Sequence, residues 1–211
     1  MYPQGGIEEI VNTAPVIPVV IIDDAEDAVP LANALVAGGL PVIEVTLRTP
    51  AAIEAISQIK QNVPAAIVGA GTVLGWQQVD AVMEAGAAFA VSPGATDTLL
   101  NACAQKGLAL LPGAATASES MQLLESGYRF QKCFPAEQVG GVAYLKSLSS
   151  PLPDVQFCPT GGVKSSTAPD YLALPNVVCV GGSWITPKDA VSAKDWGRIE
   201  ALAADAAKLK G

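Results

Sequence analysis

Lys132 and Glu44 are the two charged residues whose surroundings give them chemistry. Lys132 lies in Tyr128-Arg129-Phe130-Gln131-Lys132-Cys133-Phe134-Pro135, a stretch that reads as a strand. Strand side chains alternate, so Phe130, Lys132 and Phe134 share one face. An amine between two phenylalanines loses hydration, and desolvation disfavours its ammonium form. A neutral amine attacks carbonyls and forms a Schiff base. The plainer reading is an edge lysine whose stem packs while its head reaches water. Glu44 sits in Val42-Ile43-Glu44-Val45-Thr46-Leu47-Arg48, where Glu44, Thr46 and Arg48 share a face. A carboxylate inside an apolar strand is costly unless it is paired or functional. Its plainer reading is a structural ion pair with Arg48 or Lys132, which does not exclude catalysis.

The composition narrows the rest. The 211 residues suffice for one domain, 1–211, with a large core; 50% are hydrophobic and 15% charged. A net charge of -8 provides no basic patch for nucleic acid or an anionic membrane. An anionic substrate then has to be captured by a few local cations or helix N-termini. There is no histidine, which excludes His-ligated catalytic zinc and Ser/His or Cys/His nucleophile pairs. Acid–base work falls to Glu, Asp, Lys, Tyr or a substrate group. Cys103, Cys133, Cys158 and Cys179 are widely spaced with no CxxC motif, so buried free thiols are expected. No signal peptide and no membrane-length apolar run is read, so the expected location is cytoplasmic.

The elements that must position Lys132 and Glu44 recur along the chain. Strands are expected at 16–22, 41–46, 66–69, 88–92, 108–112, 128–134, 154–159 and 177–180, with starts about every 23 residues. The Ala-rich segments between them read as helices, several ending at glycine: Gly38-Gly39, Gly86, Gly107 and Gly127. Short, wholly apolar strands alternating with helices imply a parallel sheet. Eight such units favour a small (β/α)8 barrel over an open doubly wound sheet. The first strand runs into Asp23-Asp24-Ala25 rather than a glycine fingerprint. Residues 1–14 are expected to form a short helix covering one barrel end, and 193–210 a terminal helix.

Barrel chemistry lies at the C-terminal strand ends. There stand Gly69-Ala70-Gly71-Thr72-Val73, Ser92-Pro93-Gly94 and Pro112-Gly113-Ala114, with small residues that admit a ligand close to backbone. The last two strands run into Thr160-Gly161-Gly162 and Gly181-Gly182-Ser183. Glycine pairs in those two loops point to phosphate, although two ordinary tight turns would look the same.

Together these segments resemble the 2-keto-3-deoxy-6-phosphogluconate (KDPG) aldolase family, which includes the 4-hydroxy-2-oxoglutarate (KHG) aldolases. The resemblance spans nearly the whole chain. Its most specific pieces are Glu44-Val45-Thr46-Leu47-Arg48, Gly69-Ala70-Gly71-Thr72-Val73, Ser92-Pro93-Gly94, Lys132-Cys133-Phe134-Pro135-Ala136-Glu137 and Phe157-Cys158-Pro159-Thr160-Gly161-Gly162. It implies a class I aldolase on a (β/α)8 barrel, usually a homotrimer, needing neither metal nor cofactor. It makes Lys132 the Schiff-base lysine and Glu44 the general acid/base. Arg48 and Thr72 would hold the substrate carboxylate, and Pro93 and Phe134 would line the pocket. Thr160, Gly161, Gly162, Gly182 and Ser183 would form the phosphate end. Cys133 stands where relatives often carry Phe, with its side chain expected to point away from Lys132. Ala114-Ala115 replaces bulkier residues and is expected to loosen the pocket wall.

The implied reaction is cleavage of KDPG to pyruvate and glyceraldehyde 3-phosphate, as in the Entner-Doudoroff pathway, with 4-hydroxy-2-oxoglutarate as a further substrate. The competing readings are an aldolase for the galactose-series epimer or mainly for 4-hydroxy-2-oxoglutarate, and a non-catalytic barrel that binds a phosphorylated ligand. The pairing of Lys132 with Glu44 argues against the last, since a binder need not desolvate both.

Overall fold

The computed structural model describes residues 6–209. The expected start at 1–5 and the end at 210 lie outside them. The strands are β1 (Val16–Val20), β2 (Val42–Thr46), β3 (Ile67–Gly71), β4 (Phe89–Val91), β5 (Ala109–Leu111), β6 (Gly113–Ala114), β7 (Phe130–Cys133), β8 (Gln156–Pro159) and β9 (Val180–Gly182). The helices are α1 (Ile7–Asn12), α2 (Ala28–Ala37), α3 (Ala52–Asn62), α4 (Trp76–Glu84), α5 (Asp97–Lys106), α6 (Ala117–Glu125), α7 (Gly141–Leu148), α8 (Ala168–Leu172), α9 (Lys188–Ser192) and α10 (Trp196–Ala207). Among the described residues no helix is long and apolar enough to cross a membrane.

The fold is α/β, with parallel strand pairing in two sheets, β5-β4-β3-β2-β1-β9 and β6-β7-β8. One expected strand, 108–112, divides at Pro112. Proline donates no backbone hydrogen bond. The residues before it pair with β4, and those after it pair with β7. Bridges from Phe157 to Val177 and from Thr160 to Gly181 link β8 to the segment carrying β9. The expected strand at 177–180 is therefore displaced: Val177 makes only a bridge, and regular pairing starts at Val180.

Alternation along the strands sorts the core into two layers. Val16, Val20, Ile43, Val45, Val68 and Cys133 pack outward among the helices. Ile17, Val42, Phe89, Leu111, Phe130 and Cys158 pack inward, and Ile7, Ile10 and Val11 of α1 join them. Glu44 lies one residue after outward Ile43, and Lys132 one before outward Cys133, so both point inward. Cys133 turns away from Lys132 as expected. Ala114 belongs to the same outer layer, so it faces helices rather than the ligand. Its small side chain does not loosen the pocket wall.

Local chemistry accounts for the connections. Asp24 accepts from the Glu26 amide and starts the turn 25–27. Gly39, Gly86, Gly107 and Gly127 adopt left-handed conformations after helices, where an L side chain would be strained. A Thr116–Glu119 capping box opens α6. Amide donation from Ala115 holds the Glu119 carboxyl below the usual carboxylate range.

All four cysteines are buried free thiols. Burial pushes Cys103 up to about 11 and Cys133 up to about 12. Ellman's reagent at pH 8 is expected to leave these two thiols unreacted in the folded protein, and to titrate four thiols per chain in denaturant. Stoichiometric labelling of Cys133 in the native protein would contradict its placement.

Candidate active site

Glu44 within β2 and Lys132 within β7 meet across the interior. Lys132 Nζ donates to Glu44 Oε1 at 3.2 Å, and the two side chains are only 5% and 4% exposed. Both backbones are locked. Glu44 is flanked by β1 and β3, in register with Val19 and Gly69. Lys132 is flanked by β6 and β8, and its amide donates to Pro112 O at 2.8 Å. The Lys132 ammonium also lies 5.2 Å from the centre of the Phe134 ring. This pair takes the place of the snorkelling lysine, because no route to water is left along the strand.

Gly71, at the end of β3, makes room for the carboxylate. A Cβ there would overlap Glu44 Oε1 and stand 2.6 Å from Glu44 Cγ. The next residue, Thr72, has φ 61. A β-branched residue rarely adopts that left-handed conformation, at a cost of about 1–3 kcal/mol. It presents Thr72 Oγ1 to Arg48, whose Nε donates to it at 3.3 Å. Arg48 sits in the turn beyond β2 rather than on the strand face read from alternation. Thr46, which does lie on the strand, spends its hydroxyl on Val20 O at 3.0 Å.

Pro93 follows β4 and packs its carbonyl against Gly113, the register partner of Lys132. Phe134 follows β7, across a cis bond to Pro135, and its ring lies beside Gly161. Thr160 is buried and bridged to Gly181, so the two glycine-pair turns stand side by side. Gly182 accommodates the Trp184 ring, and Ser183 is exposed next to it. Nine of the eleven expected site residues lie at or just beyond the C-terminal ends of strands, and Glu44 and Lys132 lie within theirs. Lys132, Glu44 and Phe134 form one contact group, Arg48 and Thr72 a second, and Thr160 with the glycine turns a third.

Sequence reasoning missed one support. Glu137 donates its amide to Gly161 O at 3.1 Å and accepts from Tyr171 Oη at 2.6 Å. Burial, then the bond to Glu137, pushes the Tyr171 hydroxyl well above its ordinary value. Glu137 also fills the space beside Gly162: a Cβ on that glycine, at φ 82, would lie 2.6 Å from Glu137 Cγ. Tyr171 is 34 residues away from Glu137, and only the fold brings them together.

Two further features bear on what the site can hold. A cavity of about 440 Å³ between α5 and α6 is lined by Asp97, Glu119 and Glu125, and none of the expected site residues lines it. Among the described residues, no group of three or more His, Cys, Asp or Glu side chains could hold a metal ion.

The model of the family described as KDPG and KHG aldolase matches residues 7–202. The chain belongs to that family. A KHG/KDPG aldolase of Escherichia coli strain K12 is 51% identical over 199 residues, covering 94% of this chain and 93% of the relative. The KDPG aldolase of Zymomonas mobilis ZM4, solved with 3-phosphoglycerate, is 48% identical with a TM-score of 0.94, covering 99% of this chain and 98% of that one. The Legionella pneumophila KDPG aldolase, solved with pyruvate captured as a covalent carbinolamine, is 46% identical with a TM-score of 0.94, covering 98% and 100%.

Gly71→Ala tests the arrangement around Glu44. The added methyl must displace the carboxylate while leaving strand pairing intact. Turnover is expected to fall by about a hundredfold with an unchanged far-UV circular dichroism spectrum. Wild-type turnover in this variant would show that Glu44 need not sit where it does.

Proposed function

We propose that this chain is a class I aldolase that cleaves KDPG to pyruvate and glyceraldehyde 3-phosphate. The observation that carries the reading is the buried contact of Lys132 Nζ with Glu44 Oε1 at 3.2 Å. A carbinolamine is the first adduct of an amine with a ketone, and the Legionella relative holds one with pyruvate. Lys132 is the amine positioned to make it here.

The steps follow from the pair. Passing the shared proton from Lys132 to Glu44 leaves a neutral amine beside a carboxylic acid. The amine attacks the substrate C2 carbonyl, and Glu44 protonates the carbinolamine hydroxyl, which departs as water. The resulting iminium is an electron sink for the C3–C4 bond. Glu44, now a carboxylate, takes the C4 hydroxyl proton as that bond breaks and glyceraldehyde 3-phosphate leaves. The enamine is protonated at C3, and water releases pyruvate and restores Lys132. The iminium supplies the electrophile, so no metal and no cofactor enter the scheme.

Arg48 and Thr72 grip the C1 carboxylate, the guanidinium by a charged fork. The strained backbone of Thr72 supports this role, since strain is kept where a side chain has to be aimed. Pro93 and Phe134 wall the pyruvate half. Thr160, Gly161, Gly162, Gly182 and Ser183 bind the phosphate, far from the breaking bond, where binding energy helps position it. The same pyruvate half suits 4-hydroxy-2-oxoglutarate, which would yield pyruvate and glyoxylate; the joint name of the Escherichia coli relative favours this second activity.

The scaffold that goes with this function is a single domain forming a closed (β/α)8 barrel. The split at Pro112 and the bridges to Gly181 support closure of the two sheets, with α1 as the floor. Leu74, in the loop after β3, and Trp76, at the start of α4, are 61% and 53% exposed, which supports assembly into a homotrimer. A cytoplasmic location agrees with the four free thiols.

Borohydride reduction with pyruvate is the direct test. The adduct is expected on the peptide holding Lys132 and nowhere else, and Lys132→Ala is expected to abolish both adduct and cleavage. Glu44→Gln is expected to cut turnover at least about a hundredfold. An adduct on another lysine, or cleavage by the alanine variant, overturns the reading.

A further inference from the structure

A second cavity, of about 210 Å³, opens beside Ser183. It is lined by Val19, Ile21 and Asp23 from the β1 side and by Ser183, Thr186 and Lys188 from the β9 side. Val19 is in register with Glu44 and points inward like Ile17, so the cavity adjoins the end of the barrel that holds Lys132 and Glu44. One wall is apolar and exposed, with Ile21 47% accessible.

The two charged side chains on this cavity are both without an ion pair. Among the described residues Lys60, Lys146, Lys164 and Lys188 have no carboxylate partner, and of these Lys188 alone lines this cavity. Its neighbour Asp189 does not neutralise it, because that carboxylate is taken by Arg198 at 2.6 Å. Across the same cavity stands Asp23, also without a cation partner among the described residues. The whole chain carries a charge of -8, so its long-range field repels an anion. A phosphate monoester is close to dianionic at neutral pH. Glycine turns and a serine supply dipoles but no net positive charge.

Resting on the proposed phosphorylated substrate, we propose that Lys188 and Asp23 are an opposed pair of specificity residues for the substrate tail. Lys188 attracts the dianionic phosphate toward Ser183 and Thr186. Asp23 opposes it and limits how tightly a bare phosphate is held. The ligand class is a phosphomonoester at the end of a short hydroxylated chain. 4-Hydroxy-2-oxoglutarate carries no phosphate and so offers Lys188 no dianionic tail.

Lys188→Ala, Lys188→Arg and Asp23→Asn test the pair. On KDPG, Lys188→Ala is expected to raise KM about tenfold with little change in kcat. Its loss in kcat/KM should be at least about fivefold larger there than on 4-hydroxy-2-oxoglutarate. Lys188→Arg restores the KM, and Asp23→Asn lowers it below wild type. Raising the salt concentration should erase most of these differences. Inorganic phosphate, titrated by phosphorus NMR, is an arm that needs no catalysis: its affinity should fall in Lys188→Ala and rise in Asp23→Asn. Equal phosphate affinity in Lys188→Ala and wild type overturns the proposal, whatever the substrate. Failure of the wild type to cleave KDPG while phosphate binding still tracks residues 188 and 23 overturns the substrate reading and leaves the anion site standing.

Discussion

The buried pair of Lys132 and Glu44 is the constraint around which the rest of the structure is arranged. Two opposite charges taken out of water lose hydration that their mutual attraction only partly returns. Each backbone is held on both sides by neighbouring strands, and both side chains are buried. Removing one partner of such a pair typically costs about 3–5 kcal/mol, because the other charge is stranded.

Small residues and strain surround that pair for a common reason. The carboxylate of Glu44 occupies the space a side chain on Gly71 would take, and the carbonyl of Pro93 occupies the space above Gly113. Thr72 holds an unfavourable backbone conformation so that its hydroxyl can face Arg48. At the other end of the site, Glu137 braces the Gly161-Gly162 turn and is itself held by Tyr171. Each device places backbone or a polar atom near ligand space, and each is anchored to a strand end, a neighbouring strand or a helix.

Electrostatics divides along the site. Buried charges at the Lys132 end act over a few ångströms in a medium that screens them weakly. Lys188 at the other end is exposed, and an exposed charge is screened by salt. In the proposed reaction the first set serves bond making and breaking, and the second serves the choice of substrate.

How much of this was written in the sequence follows from which forces are local. Alternation alone put Cys133 on the face opposite Lys132 and Glu44 opposite Ile43 and Val45, because side chains on a strand must change sides at each step; the packing decided which face was inward. Helix ends at Gly39, Gly86, Gly107 and Gly127 were legible because left-handed backbone selects glycine. Parallel pairing was legible because short apolar strands separated by helices have few other ways to bury both faces. Other features depended on contacts between distant segments. The split at Pro112 depends on which neighbour each half meets, and the true start of β9 on where Val177 and Thr160 find partners. The placing of Ala114 away from the ligand, the 3.2 Å contact across 88 residues and the Glu137–Tyr171 bond were likewise decided only by tertiary structure. A sequence states which residues can carry charge, strain or a turn; the distance between two of them is set by how all the intervening strands and helices pack.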